Sequence, residues 1–438
     1  MGVTSNMPIW ISIPFVVMLL AIAIGPLIAG KWWDRNRNKL LVSLLLSTPI
    51  IIFMITNGLS NNIKSTIFND YFPFIVLLGS LFVITGGIHI TCDLRATPLN
   101  NTIFLSIGYI LASIMGTTGA AMLLIRPVIT TNQEREHTTH TILFFIAAIA
   151  NCGGLLTSLG DPPLFMLYLR GVHFSWFLFN LFPEWILTGS ILMTIYFFID
   201  KYFYKKENII NIEKDIAQQQ PIRIKGKINF IFLIGVILAV SLINKDIFPQ
   251  LGNNDAPIWI RHLRENILII LALLSLIFTK NEVRENNNFS WAPIIEVACL
   301  FLGIFITMSP SLIWLSENAI SLGISTPREF MYSSGILSSF LDNTPTALAF
   351  YNLAHGLPHG TIPNASFVTG IPAILLKAIC IGSVFFGSIT YIGNGPNFMI
   401  KSIAEENGIK MPNFFAYMYK FSLVILLPIY IIIQLIFI

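Results

Sequence analysis

The sequence predicts an all-α polytopic membrane protein with about ten transmembrane helices and two re-entrant hairpins, set out as two inverted repeats with discontinuous helices. Three observations carry this. Hydrophobic residues make up 55% of the chain and charged ones only 11%, so there are many apolar runs of roughly the 20 residues needed to cross hydrocarbon. Two polar, glycine- and proline-rich segments, Gly160-Asp161-Pro162-Pro163 and Gly393-Asn394-Gly395-Pro396, interrupt such runs, and each leads into Phe-Met. Lastly, the basic residues cluster in a few loops rather than along the runs. Backbone without helical hydrogen bonds is tolerated at membrane depth only where protein or a water-filled cavity satisfies it, so the paired breaks mark a polar path through the molecule.

The first apolar stretch, about residues 7 to 29, has no basic residues in front of it and no clear small-residue cleavage pattern, and it reads as a retained helix. Residues 1 to 30 carry no charge, whereas Lys31, Arg35, Arg37 and Lys39 follow at once. Positive-inside bias therefore places the N-terminus outside the cytoplasm. A second helix near 40 to 56 returns outward, and a third, about 72 to 91, comes back in to a loop holding Asp93 and Arg95. Residues 100 to 130 are apolar but carry Gly116-Thr117-Thr118-Gly119 at the middle, which suits a re-entrant hairpin with its tip at mid-depth. The run 139 to 170 is too long for one uninterrupted helix and contains the first break, and a helix at 182 to 200 leads inward.

Residues 201 to 227, rich in Lys, Asn and Gln, form the one evident linker, and their basic character makes them cytoplasmic. Helices near 228 to 244 and 265 to 279 bring the chain back to Lys280 and Arg284, so the helix at about 291 to 308 starts inside. Its counterpart in the first half starts outside. A second hairpin, about 333 to 354 with Asp342-Asn343-Thr344-Pro345-Thr346 at its tip, precedes the broken run 368 to 405 and a last helix from about 414. The chain thus divides into N-terminal helices (1–71), a first repeat (72–200), the linker (201–227), connecting helices (228–290) and a second repeat (291–438), all within one membrane domain. Aligning the tips sets Thr117-Thr118 against Asn343-Thr344, and aligning the breaks sets Gly160-Asp161 against Gly393-Asn394.

Composition also excludes classes. The net charge of +4 resides in loops of the kind that orient membrane proteins and does not suggest nucleic acid as a partner. Cys92, Cys152, Cys299 and Cys380 lie singly, without the paired spacing of a disulfide framework or metal cluster. No nucleotide-binding loop and no nucleophile with a base is recognisable, which argues against an enzyme or a primary pump. No cofactor is expected.

The runs Gly116-Thr117-Thr118-Gly119-Ala120-Ala121-Met122 through Arg126-Pro127, Leu159-Gly160-Asp161-Pro162-Pro163-Leu164-Phe165, Asp342-Asn343-Thr344-Pro345-Thr346 and Ile392-Gly393-Asn394-Gly395-Pro396-Asn397-Phe398-Met399 resemble the ion transporter superfamily. Within it they are most similar to the citrate-transporter (CitMHS-like) and NhaD-type sodium/proton antiporter branch. The resemblance covers about residues 70 to 435. It implies inverted repeats, each with a hairpin and a discontinuous helix, a homodimer, and cation and substrate sites at the hairpin tips. The Ser-Asn-Thr tips of the dicarboxylate carriers are replaced here by Thr117-Thr118 and Asn343-Thr344.

Sodium is a hard cation that takes several oxygen ligands, and the tips and breaks offer hydroxyls, amide carbonyls, unwound backbone carbonyls and two carboxylates. The candidate site is therefore Thr117, Thr118, Asp161, Asp342, Asn343, Thr344, Asn394 and Asn397, with Na⁺ expected at Asp161, Asp342, Asn343 and Thr344. A carboxylate at membrane depth is costly when ionised and unpaired. One that alternates between a cation and a proton gives obligatory exchange. Each residue has a plainer reading: Asp161 before two prolines fits a helix N-cap, Asp342 with Asn343 and Thr346 fits a cap on a hairpin arm, and Thr117 and Thr118 fit packing residues bonded to their own helix. Lys377, Glu296 and Arg126 lie in apolar context and are candidates for coupling, with Lys377 placed to pair with Asp342 or to meet a substrate carboxylate. His89, His355 and His359 read as interfacial residues.

The function expected from these residues is secondary sodium/proton antiport by alternating access, in a bacterial inner membrane. Sodium- or proton-coupled uptake of citrate or another organic anion is the alternative, and a channel a third. The first would use the acidic site, and the second Lys377 and the half-helix N-termini after Pro163 and Pro396.

Overall fold

The computed structural model describes residues 7–244, 247–252, 256–358 and 360–438; His359 lies outside them. The protein is an all-α polytopic membrane protein. Among the described residues seven helices are long and apolar enough to cross a membrane, namely Asn36–Thr56, Ser60–Thr85, Pro98–Met115, Thr139–Leu156, Phe182–Tyr204, Ala292–Glu317 and Phe414–Phe437, with shorter apolar helices at Ile9–Gly25, Ile228–Leu242 and Ala373–Ser388. The helix expected at 265 to 279 forms as Leu263–Phe278, with Arg264 and Glu265 in its first turn. Pro98–Met115, expected as a hairpin arm, is by its length also able to cross alone.

Outward faces are apolar. On Ile228–Leu242 the exposed residues are Ile228, Ile231, Ile234, Leu238 and Leu242, one stripe at helical spacing, while Phe232, Leu233, Val236 and Val240 are buried. Such a stripe is stable against lipid and not against water. Inside, Asn36–Thr56 packs on Ala292–Glu317, Ser60–Thr85 on Leu263–Phe278, and Pro327–Phe340 on Ala373–Phe385.

Both hairpins form as two helices meeting at a break. Thr97-Pro98 and Thr326-Pro327 open them in the same way, each threonine hydroxyl accepting from the backbone three residues on and each proline fitting the first helical turn. The first pair is Pro98–Met115 and Thr117–Thr131, separated by Gly116 at φ +83°, a conformation that other residues rarely adopt. The second is Pro327–Phe340 and Asn343–His355. The broken runs resolve into Thr139–Ala148, a 3₁₀ turn Cys152–Leu156 and Pro162–Leu169, and into Ala373–Phe385, a 3₁₀ turn Phe386–Ser388 and Gly395–Glu406.

Two expectations are corrected. The third helix ends at Thr85 rather than near 91: Gly86 and Gly87 stop it, and His89–Asp93, with Ile90 and Thr91 suited to an extended backbone, forms a strand. Its antiparallel partner is Gln220–Lys225, in register His89 with Lys225 and Ile90 with Ile224. The 201–227 stretch is accordingly structured, since the helix Ile209–Ala217 precedes that strand and both Asp215 carboxylate oxygens accept from the Ala96 N–H at 3.1 Å.

Asp93 is thus not a loop residue but a buried one at a strand end. Burial first, then the neighbouring Glu134 and Asp215 carboxylates, hold its carboxyl above the usual carboxylate range. A raised acid is destabilising when ionised, and stability returns as pH falls through its folded value. Asp93→Asn is therefore expected to raise the unfolding temperature at neutral pH slightly, by no more than about 2 °C, and to leave transport unchanged. A lowered unfolding temperature in a thermal-shift measurement would contradict this.

Candidate functional site

The breaks from both halves meet at Asp161, which is 1% exposed. It is the N-cap residue of Pro162–Leu169, in extended conformation (φ −142°, ψ 143°), with no side-chain bond to that helix. Its carboxylate is turned inward. Oδ1 accepts from Thr117 Oγ1 at 2.8 Å and from Asn394 Nδ2 at 3.5 Å, and Oδ2 accepts from Asn343 Nδ2 at 3.0 Å. The capping reading of Asp161 is thus replaced by a role in the network. Thr117 and Asn343 start the second helices of the two hairpins, and Asn394 is the N-cap of Gly395–Glu406. Side chains at the N-termini of three other helices therefore converge on one carboxylate.

The amides extend the network. Asn394 Nδ2 also reaches the Ala150 carbonyl at 2.9 Å and Asn151 Oδ1 at 3.3 Å; Asn151 Nδ2 donates to Asn397 Oδ1 at 2.8 Å, and Asn397 Nδ2 to the carbonyls of Gly387 and Thr390. Asn343 Oδ1 accepts from Ser338 Oγ at 2.5 Å. Such buried polar groups cost free energy unless each finds a partner, so the network specifies one arrangement of the breaks.

The same bonds recur in both halves. Thr157 Oγ1 donates to the Ser113 carbonyl, and Thr390 Oγ1 to that of Ser339; Ser113 Oγ donates to the Gly153 carbonyl, and Ser339 Oγ to that of Phe386. Asn394 has φ −141° and ψ 141°, the conformation of Asp161. The correspondence pairs Thr117 with Asn343 and Asp161 with Asn394. One difference decides the chemistry: of the two equivalent N-cap positions, which touch each other, one is an acid and the other an amide.

Asp342 stands outside this cluster. Half-buried, it accepts from the Thr344 N–H at 2.9 Å as the cap of Asn343–His355. Thr344 Oγ1 is buried with no hydrogen-bond partner, and Thr118 is half-buried outside the network. Of the expected sodium ligands, Asp161 and Asn343 are in contact, Thr344 offers a free hydroxyl oxygen nearby in sequence, and Asp342 is committed to its own helix. Asp342 nonetheless lies close enough to Asp161 for the two carboxylates to interact electrostatically, without a hydrogen bond joining it to the network.

Over residues 4–438 the chain matches the family described as "Putative citrate transport". The chain belongs to this family. Relatives include an uncharacterized transporter of Methanocaldococcus jannaschii, 26% identical over 278 residues, and a 46 kDa membrane protein of Mycobacterium leprae, 23% identical over 333 residues. The first match covers 61% of this chain and 58% of the relative, and the second 72% and 71%. An uncharacterized transporter of Synechocystis is 22% identical over 61% of each chain. The chain thus belongs to a transport family, and two of these three relatives are named as transporters and the third as a membrane protein.

In this family member the coupling candidates lie apart from Asp161. Lys377 Nζ is 2.6 Å from Glu184 Oε1, not beside Asp342, because Glu184 at the start of Phe182–Tyr204 faces the Ala373–Phe385 helix. Glu296 pairs with Lys39 at 2.7 Å. Arg126 reaches Asn288, whose amide oxygen, in the orientation that satisfies both groups, accepts at 2.9 and 3.2 Å. His89 Nδ1 lies 2.7 Å from Asn287 Oδ1, and His355 ends a helix beside Tyr351.

Asn151 and Glu184 are the functional candidates that sequence reasoning missed. Asn151 precedes Cys152-Gly153-Gly154 inside an apolar run, a polar residue beside glycines that signals a second break. Glu184 follows a proline at a helix start and resembles an ordinary first-turn acid. Removing one member of a buried ion pair strands the other, so Lys377→Met is expected to lower stability by about 3 kcal/mol, with most of it recovered in Glu184→Gln/Lys377→Met. Equal losses in the single and double variants on thermal unfolding would contradict the pairing.

Proposed function

We propose that this transporter exchanges Na⁺ for H⁺ by alternating access, with the two ions competing for Asp161. The observation that carries this is the single carboxylate, buried and shared among Thr117, Asn343 and Asn394 from the two halves. One negative charge suits one monovalent cation or one proton, and neutralising it by either removes the cost of a bare buried charge. Thr344 Oγ1 and the non-helical backbone of the breaks supply further oxygens for sodium once the donors now on Asp161 turn away. The recurring hydrogen bonds, with the opposite orientation that the charge pattern assigns to the halves, support an inverted repeat whose halves rock about this point. That pattern also supports an inner-membrane protein with its N-terminus outside.

A second reading, cation-coupled uptake of citrate, is favoured by the family's description and by the three helix N-termini that meet at Asp161, which would face an anion once Asp161 is neutral. Collapse of a preformed pH gradient in everted vesicles separates the two. Exchange requires collapse on adding Na⁺ or Li⁺ but not K⁺. No cation response, together with labelled citrate accumulating in right-side-out vesicles, would replace it with the second reading.

A further inference from the structure

A cavity of about 330 Å³ lies away from the breaks, lined among others by Asn69, Tyr168, Arg261, His262, Arg264 and Glu265. It adjoins Ile243 and Asn244, just past the end of Ile228–Leu242, whereas the strand Gln220–Lys225 lies just before the start of that helix. The 15-residue helix puts the cavity about 22 Å from the ribbon, toward the opposite face of the molecule.

Among the described residues that line it, the charges are unbalanced. Arg264 is bonded to the neighbouring Glu265, and its guanidinium stacks 5.1 Å from the Tyr168 ring and 5.7 Å from that of Phe165. Nearby Asp70 is taken up by Arg170, at 3.0 Å to each carboxylate oxygen. No carboxylate among the described residues pairs with Arg261, whose Nε is buried without a hydrogen-bond partner. A buried guanidinium donor without an acceptor is a costly group unless a ligand completes it. Arginine's fork matches the paired oxygens of carboxylates and oxyanions.

We infer that this cavity binds a small carboxylate or oxyanion, held by Arg261 with Arg264, Asn69 and Tyr168 as neighbours, at a site separate from Asp161. The half-helix Pro162–Leu169 connects the two: Asp161 caps its start and Tyr168 lies near its end, about 10 Å along the axis. An anion arriving at this face would thus be held one half-helix from the breaks. The inference stands whether Asp161 exchanges Na⁺ for H⁺ or not, since it concerns other residues and another ligand.

The test is isothermal titration calorimetry of the purified full-length protein with citrate and, separately, inorganic phosphate, on wild type, Arg261→Gln, Arg261→Lys and Asp161→Asn. Binding is expected in wild type, at least tenfold weaker in Arg261→Gln, partly restored in Arg261→Lys and unchanged in Asp161→Asn. Arg261-dependent binding of both probes would make this a general oxyanion site, and of citrate alone a carboxylate site. Absence of Arg261-dependent binding for both probes would overturn the inference, as would loss of binding in Asp161→Asn, which would move the anion to the breaks.

Discussion

Asp161→Asn is expected to abolish proton-coupled cation movement, by a hundredfold or more, in a protein that still inserts and folds. The substitution keeps size and shape but removes the only charge in the central network. One amide atom still accepts from Thr117, as Oδ1 does now at 2.8 Å. The other becomes a donor facing Asn343 Nδ2, which donates to Oδ2 at 3.0 Å in the native site. Re-pairing one buried amide costs about 1–3 kcal/mol at most, too little to unfold the assembly. Asp342→Asn serves as the contrast. Asparagine caps helices as well as aspartate does, and Asp342 contacts the Thr344 backbone rather than the network, so less than a tenfold loss of exchange is expected. Equal, complete loss in both variants, read from pH-gradient collapse with expression matched, would return Asp342 to the centre of the site.

The second large effect is expected at Gly160 and Gly393. A Cβ at Gly160 would fall on the Gly154 carbonyl oxygen, and one at Gly393 would lie 2.6 Å from that of Gly387. Both clashes are with backbone, which cannot swing aside. Gly160 also accepts from the Thr117 N–H at 2.8 Å, so pushing it outward moves the hairpin tip away from Asp161. Overpacking of this kind costs about 1–3 kcal/mol, and the displaced tip should reduce transport at least tenfold in either Gly160→Ala or Gly393→Ala. Gly395→Ala, where a Cβ meets nothing within 4 Å, should transport normally. Matched activities across the three variants would show that the crossing of the broken chains is not needed for function.

Much of the path through the fold was legible in the sequence, because hydrophobic length and the punctuation by glycine and proline act locally. The two breaks, both hairpin tips and the pairing of Thr117 with Asn343 and Gly160 with Gly393 follow from those signals, and the hydrogen bonds repeat in that alignment. What the sequence left open was long-range. Nothing local tells whether an N-cap aspartate turns toward its own helix, as Asp342 does, or away from it, as Asp161 does; the partners that decide this lie in the other half of the chain. Lys377 finds Glu184 for the same reason, through packing of helices distant in sequence. The strand pairing of His89–Asp93 with Gln220–Lys225 was hidden because a short polar ribbon leaves no hydropathy signature.

The central claim is that sodium and protons share Asp161, and the most direct test is equilibrium binding of ²²Na⁺ to the purified protein over a range of pH, with wild type and Asp161→Asn side by side. The expected result is an apparent sodium affinity that falls as pH is lowered, with the same capacity at saturation, and no specific binding in Asp161→Asn. Sodium binding that is indifferent to pH, or that survives in Asp161→Asn, would contradict the account.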